Sequence, residues 1–228
     1  MVPLHIAIDG PVGSGKTYIA GEVAKRLGIT YIYTGAMYRA LAFVCVKENV
    51  PFKDSVHVLP LLEKYSIDVR PAREKGLRSF TVFLNTEDVT EKLFNPVIDQ
   101  GTSDVSTIPE VRTFMVKKQQ EMANGKSVVM EGRDIGLRVL PDAQLKIYLT
   151  ASVEERSKRR LEQFRQKGIE KTLEEVIRDT KIRDEQDMTR QADPLQKLPD
   201  AWEFDTTGLS AEEVIQGIIS ELQKRKLV

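Results

Sequence analysis

Apolar residues fall along this chain in short blocks of strand length. Leu4–Ile8, Thr30–Tyr33, Ser127–Met130, Leu145–Leu149 and Trp202–Phe204 are apolar runs edged by turn residues, the pattern of strands covered on both faces. Helical spacing fills the intervals. Lys16–Leu27 ends at Gly28, a residue suited to a left-handed C-cap, and Ala36–Glu48 carries Leu41, Val44 and Cys45 on one face. Ser or Thr followed three residues later by Glu marks further helix starts, at Thr107 with Glu110, Ser152 with Glu155, Thr172 with Glu175 and Ser210 with Glu213. Strands alternating with helices predict an α/β, doubly wound parallel sheet, which presents ligands at the carboxyl ends of its strands.

Two stretches break the alternation. Within 64–102, Ile67-Asp68-Val69 and Phe80-Thr81-Val82-Phe83-Leu84 alternate apolar and polar residues, as antiparallel strands with one exposed face do, and the polar segment Pro71–Ser79 between them reads as a turn. This interval is expected to be a lobe inserted into a single domain spanning 1–228. The second stretch, 156–190, is dense in Lys and Arg, the pattern of a solvated helical face unless its charges are used.

Composition narrows the class. Lys plus Arg and Asp plus Glu each number 34, so no general basic surface for nucleic acid or acidic membrane exists, and basicity must act locally. No apolar run approaches the roughly 20 residues of a membrane span. The first strand begins by Leu4, leaving no room for a signal peptide, and the one cysteine, Cys45, cannot form an internal disulfide. A cytoplasmic monomer is expected, with Cys45 packed in the core.

Candidate chemistry begins directly after the first strand. Gly10-Pro11-Val12-Gly13-Ser14-Gly15-Lys16-Thr17 matches the phosphate-binding loop G-x-x-x-x-G-K-[ST], in the required order of strand, loop and helix. Glycines let successive backbone N–H groups turn toward phosphate oxygens, and the following helix aims its positive end at the same anion. Lys16 is suited to the β- and γ-phosphates of a nucleoside triphosphate, and Thr17 offers a hydroxyl to Mg²⁺. Two arginine-bearing segments follow later strands. Tyr33-Thr34-Gly35-Ala36-Met37-Tyr38-Arg39 follows the second, with Thr34 placed to cap the next helix; Glu131-Gly132-Arg133-Asp134 follows the third. Arginine binds phosphate with a planar fork and keeps its charge at any working pH, so both segments are candidates for a phosphate acceptor. Arg183, Asp187 and Arg190 share one helix face, either as an intrahelical ion-pair ladder or as part of the same site.

Taken together, the glycine-rich loop, Thr34-Gly35-Ala36-Met37-Tyr38-Arg39, Glu131-Gly132-Arg133-Asp134-Ile135-Gly136, Pro141-Asp142-Ala143 and Arg183-Asp184 with Asp187 and Arg190 resemble the bacterial cytidylate kinases over essentially the whole chain. The resemblance implies transfer of the γ-phosphoryl of ATP, with Mg²⁺, to CMP or dCMP. It implies ATP contacts at Gly10, Pro11, Val12, Gly13, Ser14, Gly15, Lys16, Thr17 and Tyr18. Arg39, Arg133 and Arg190 would take the acceptor phosphate, with Arg183 helping there and Thr34 and Tyr38 beside them. Ser103, Arg112 and Asp134 would hold the cytosine and Asp187 the ribose, while Arg156, Arg159 and Arg160 fall in the mobile lid. Lys16, Arg133, Arg183 and Arg190 are the expected catalytic residues. Many members place Gly after the loop lysine and Thr one later; here Thr17 follows Lys16 directly, which favours Thr17 as the Mg²⁺ ligand.

Elementary chemistry agrees. A nucleoside monophosphate has a second phosphate pKa near 6, so its attacking oxygen is largely deprotonated at neutral pH and no general base is required. Positioning and charge neutralisation suffice. Neither His5, in the first strand, nor His57, in a polar connection, resembles a catalytic base. Other small-molecule kinases of this loop type, acting on another nucleotide, shikimate or gluconate, are the nearest alternative. A nucleotide-dependent switch is disfavoured, since neither Asn-Lys-x-Asp nor Leu-Ser-Gly-Gly-Gln occurs.

Overall fold

The computed structural model describes residues 2–71 and 80–228. Five parallel strands form the central sheet: β1 (His5–Asp9), β2 (Thr30–Tyr33), β6 (Val128–Gly132), β7 (Leu145–Thr150) and β8 (Trp202–Asp205), in the spatial order β2-β6-β1-β7-β8. β1 therefore lies in the middle, with β6 on one side (Ile8 opposite Glu131) and β7 on the other (Ile8 opposite Ile147). The order reverses about β1, so the loop leaving its carboxyl end opens into the crevice where such sheets hold ligands. Every expected strand is present, displaced by at most a residue or two.

Eight α-helices surround the sheet and its lobe among the described residues: α1 (Lys16–Leu27), α2 (Gly35–Lys47), α3 (Ser55–Lys64), α4 (Pro96–Val105), α5 (Pro109–Ala123), α6 (Val153–Gln166), α7 (Leu173–Thr189) and α8 (Ala211–Lys224). Their ends follow the sequence chemistry closely. Gly28 takes φ 65° after α1, and its N–H reaches the carbonyls of Ala24 and Lys25. Thr172 and Ser210 form reciprocal capping boxes with Glu175 and Glu213, and Ser152 accepts from the Glu155 N–H. The start expected at Thr107 is displaced. Pro109 opens α5 with Ile108 as the residue before it, and the Thr107 hydroxyl donates instead to the Asp104 carbonyl at 2.7 Å. Proline, with φ already helical and no N–H to satisfy, decides the first turn there. Cys45 is fully buried, as expected.

The interval 64–102 contains a three-stranded antiparallel sheet of β3 (Ile67–Pro71), β4 (Phe80–Leu84) and β5 (Glu87–Asp88), then a 3₁₀ turn (Thr90–Leu93) and the start of α4. Of the turn expected over Pro71–Ser79, only Pro71 is among the described residues. Phe80, Val82 and Leu84 point inward and join the same apolar cluster as the central sheet, where Phe80 packs on Tyr33 with ring centroids 4.8 Å apart. The lobe is thereby tied to the carboxyl end of β2.

Helices α6 and α7 form an antiparallel hairpin with a small core of its own, Leu161, Phe164 and Val176 with Ile169 and Leu173 beside them, separate from the main cluster. Core separation makes this hairpin a unit that can open locally without the sheet. Leu161→Ala, which removes about 2–4 kcal/mol of packing at such a site, is expected to speed amide exchange in α6 and α7 while leaving β1, β6 and β7 protected. Equal acceleration throughout would show that hairpin and sheet unfold together.

Candidate active site

β1 brings the chain to the middle of the sheet's carboxyl edge, and the glycine-rich loop turns there under tight steric limits. A Cβ on Gly10 would stand 2.1 Å from the Leu149 carbonyl oxygen, and one on Gly13 would stand 2.9 Å from the Arg156 carbonyl oxygen. Gly13 and Gly15 also take left-handed φ values of 77° and 91°. Lys16, the first residue of α1, folds back under the loop. Its Nζ donates to the carbonyls of Gly10 (2.7 Å) and Pro11 (2.8 Å) and to Ser14 Oγ (3.2 Å). Burial, reinforced by the charge of Arg133, pushes the Lys16 ammonium down to about 7 against the pull of Glu131, Asp187 and Asp9. The solvent-open Thr17 donates its hydroxyl to Glu131 Oε1 at 2.8 Å, while Tyr18 is 61% exposed.

Glu131, next to last in β6 and paired with Ile8 of β1, is buried. Its carbonyl accepts the Thr34 hydroxyl at 2.7 Å, so Thr34 braces β6 rather than capping α2 with its side chain. Behind it, the carboxylate of Asp9 accepts the N–H groups of Ile135 (2.9 Å) and Gly136 (2.8 Å), which fixes the segment carrying Arg133 and Asp134. Burial raises the Asp9 carboxyl to about 6 even so.

Arginines from four elements converge in front of the loop: Arg39 from α2, Arg133 after β6, Arg160 from α6 and Arg183 from α7. Arg39 is held on every side by the lobe and β2. It donates to the Tyr33 hydroxyl (3.1 Å) and the Leu93 carbonyl (2.9 Å), pairs with Asp99 Oδ1 (2.5 Å) and lies over the Phe94 ring. Arg133 donates to Asp187 Oδ2 at 2.6 Å. Arg160 and Arg183 are less satisfied: the Nε of each is buried without a hydrogen-bond partner. Burial pushes the Arg183 guanidinium down to about 10, helped by repulsion from Arg133, Arg39 and Arg160, against the pull of Asp187. The helix-face alignment of Arg183, Asp187 and Arg190 is thus not a self-contained ladder, because Asp187 makes its short contact to Arg133 across the cleft.

A second cluster adjoins the first. Arg112 of α5 is 1% exposed, pairs with Asp134 and donates to Asp193 Oδ2 at 3.2 Å, with the buried Tyr38 ring beneath it at 5.8 Å. Arg190 donates twice to the Asp193 carbonyl (2.6 and 2.9 Å) and lies 3.7 Å from Asp134 and 3.9 Å from Asp187. Ser103 is buried on α4. The structure therefore brings together the loop with Lys16 and Thr17, and around it Thr34, Tyr38, Arg39, Arg112, Arg133, Asp134, Arg183, Asp187 and Arg190. Arg156 and Arg159 stand apart from the arginine cluster: Arg156 is buried against Val12, and Arg159 donates to Thr206 O (2.9 Å) and Thr206 Oγ1 (3.1 Å).

Comparison with known proteins decides the family. The cytidylate kinase family profile matches residues 6–224. The cytidylate kinase of Caldanaerobacter subterraneus subsp. tengcongensis is 47% identical over 97% of this chain and 95% of its own length, and that of Caldicellulosiruptor bescii is 44% identical over 98% and 97%. The chain belongs to the cytidylate kinase family. It is accordingly an enzyme, a kinase that phosphorylates cytidylate with ATP. A solved structure of an uncharacterized protein from Eubacterium ventriosum is similar in fold, with a TM-score of 0.54 at 13% identity, covering 96% of this chain and 98% of that one.

Several residues of this candidate site carried no signal in the sequence. Asp99 and Asp193 lie in segments without a recognisable motif and acquire partners only through folding. Asp193 adopts φ 49°, a left-handed conformation that Asp tolerates better than most residues. Asp9 directly follows the apolar run Leu4–Ile8. Its position immediately before the loop glycine was the available clue.

Lys16 gives the site a measurable proton linkage. The unfolded chain holds this proton more tightly than the folded one, so the group costs stability below about pH 7, and that cost fades as pH rises toward 10.5. A bound triphosphate raises the same pKa. ATP binding at pH 8 is therefore expected to take up close to one proton, read by calorimetry in buffers of different ionisation enthalpy. Proton release, or a heat independent of buffer, would contradict the lowered pKa of Lys16.

Proposed function

We propose that the kinase acts by clamping two polyanions between the glycine-rich loop and the arginine cluster, with CMP or dCMP as acceptor. The observation that carries this reading is the pair of buried, unpartnered guanidinium nitrogens on Arg160 and Arg183, facing Arg39 and Arg133 in front of Lys16. Such a group of like charges lacks a counterion of high charge density, and a phosphate in transfer supplies one. Lys16 leaves the loop carbonyls for the β- and γ-phosphates. Arg39, Arg133 and Arg190 hold the acceptor phosphate in line, and Arg183 neutralises charge between donor and acceptor.

The base subsite follows from the second cluster. Asp134 is pinned by Arg112 through one oxygen and keeps Oδ1, 3.7 Å from Arg190, for the cytosine amine. A carboxylate accepts from that amine and repels the carbonyl that uracil places there. Ser103 and Arg112 complete the base contacts, and Asp187 offers its second oxygen to the ribose. His5 bonds the Lys126 carbonyl and His57 bonds Asp54, so neither reaches the site, in keeping with a reaction that needs no base.

A divalent cation fits the donor set. Thr17 Oγ1 and the Glu131 carboxylate are hard oxygen donors 2.8 Å apart, and Mg²⁺ in such sites is held by one or two protein oxygens together with substrate phosphates. Mg²⁺ entering with ATP would neutralise charge on the β- and γ-phosphates, with Thr17 and Glu131 as its protein contacts. The lobe 64–102 and the hairpin within 156–190 close the cleft: Lys167 at the hairpin tip lies 5.9 Å from the Phe94 ring of the lobe. Closure excludes water from the transferring group. A cytoplasmic monomer accords with the lone buried thiol of Cys45 and the even charge balance. No helix among the described residues is long and apolar enough to cross a membrane.

A coupled assay of ADP formation against CMP, dCMP, UMP, AMP and shikimate tests the acceptor. CMP and dCMP are expected to turn over fastest; preference for shikimate or AMP would overturn the assignment. Asp134→Asn is expected to lower the kcat/KM preference for CMP over UMP by about tenfold or more, the value of one ~1–3 kcal/mol contact. An unchanged ratio with reduced activity would assign Asp134 to the arginines alone.

Arg183→Ala is expected to reduce kcat by about a hundredfold, the scale of losing one preorganised charge at a transferring group, with little change in ATP affinity. Loss confined to KM for the monophosphate would place Arg183 on the ground-state acceptor instead.

A further inference from the structure

The hairpin of α6 and α7 is joined to the phosphate loop at one peptide position, and this junction lies outside the substrate contacts described above. Arg156, on the first turn of α6, donates from Nη1 to the Val12 carbonyl at 2.9 Å and to Asp184 Oδ2 at 2.6 Å, and from Nε to the Ala151 carbonyl at 2.9 Å. Asp184, on α7, accepts the Val12 N–H on its other oxygen, Oδ1, at 3.3 Å. Both polar groups of Val12 are thus taken by one ion pair whose members come from the two arms of the hairpin. The pair is buried, Arg156 at 4% and Asp184 at 7% exposure. The same turn of α6 also sets the shape of the loop next door, since the Arg156 carbonyl occupies the space that a side chain at position 13 would need.

We propose that Arg156 and Asp184 are a positioning pair that holds Val12, and through it the glycine-rich loop, in the conformation that receives the triphosphate. The inference rests on the loop being the ATP site. Phosphate-binding loops act through backbone N–H groups that must all point inward at once, so the orientation of each peptide plane matters. Val12 lies between Pro11, which has no N–H, and Gly13, which takes a left-handed φ of 77°. A peptide at that point has no secondary-structure partner of its own. Its two hydrogen bonds come from side chains 144 and 172 residues away in sequence.

The arrangement also gives hairpin motion a route to the loop. Arg156 and Asp184 sit at the root of the hairpin, on the same two helices that carry Arg160 and Arg183, one turn further along α6 and one residue earlier on α7. A shift of α6 against α7 changes the geometry of the Arg156–Asp184 pair and the Val12 contacts together. Arg160 belongs to the same junction by contact, since its Cδ would lie 3.3 Å from a Cβ on Gly13.

Asp184→Asn and the double substitution Arg156→Met with Asp184→Asn test the proposal. The single change keeps shape but weakens the ion pair, and the double change removes both charges so that none is left buried alone. ATP and CMP are titrated separately into each protein by calorimetry, with kcat and both KM values measured in parallel. The expected result is an ATP dissociation constant raised about tenfold or more in both variants, with CMP affinity within about twofold of the original. Arg156→Lys, which retains one donor toward Val12, is expected to recover part of the ATP affinity. Parallel loss of ATP and CMP binding would reduce the pair to a general structural contact, and unchanged ATP affinity in the folded double variant would overturn the proposal. Failure of the unmodified protein itself to bind ATP would instead overturn the loop assignment on which the inference stands.

Discussion

Like charges crowded into a partly desolvated space are the constraint around which this molecule is organised. At an effective dielectric of about 20, two unit charges 4 Å apart repel by about 4 kcal/mol, comparable with a large part of a domain's net stability. Arg39, Arg133, Arg160 and Arg183 are kept together because carboxylates are interleaved among them. Asp99 holds Arg39 and Asp187 holds Arg133, while Asp134 lies between Arg112 and Arg190. The balance is incomplete by design of the site: Arg183 has no hydrogen-bonded partner at Nε, and its pKa is depressed. On the proposed reading an incoming phosphate would finish the pairing, making substrate binding and relief of this repulsion one event.

The fold makes that crowding possible by drawing each charge from a different element. A single helix cannot aim four guanidinium groups at one point, because its side chains diverge. Here α2, the β6 exit, α6 and α7 approach the end of the sheet from separate directions, and the reversal of strand order at β1 leaves the space in front of the loop open to all of them. Buried carboxylates near strand ends, Asp9 and Glu131, then tie the segment after β6 and the start of α1 to the same rigid platform. Binding groups set on strand ends and helix starts hold their geometry better than groups on long loops.

Different parts of the cleft carry different mechanical loads. The lobe shares the main core through Phe80, Val82 and Leu84, whereas the hairpin has its own small core and is joined to the loop through Arg156 and Asp184. Polar joints of this kind transmit orientation without fusing two cores, and so leave a segment free to open on its own energy scale.

Most of the fold and the glycine-rich loop were legible in the sequence, because both rest on local rules. Strand runs, helix caps at Ser152, Thr172 and Ser210, and the Gly-Lys-Thr loop are each specified by residues within a few positions of one another. Proline at position 109 overrode the cap expected at Thr107, a contest between two local signals that spacing alone did not resolve. The motifs around Arg39, Arg133 and Arg183 pointed to phosphate chemistry, and the resemblance they carried named the family that comparison then bore out. What the sequence did not contain was the pairing of charges. That Asp99 faces Arg39, that Asp193 reaches Arg112, and that Arg156 serves Val12 rather than the arginine cluster all depend on contacts across 60 to 144 residues. Residue type and local spacing determine which side chains can bind phosphate; only tertiary packing, by choosing which charges are buried side by side, decides which of them are left in need of it.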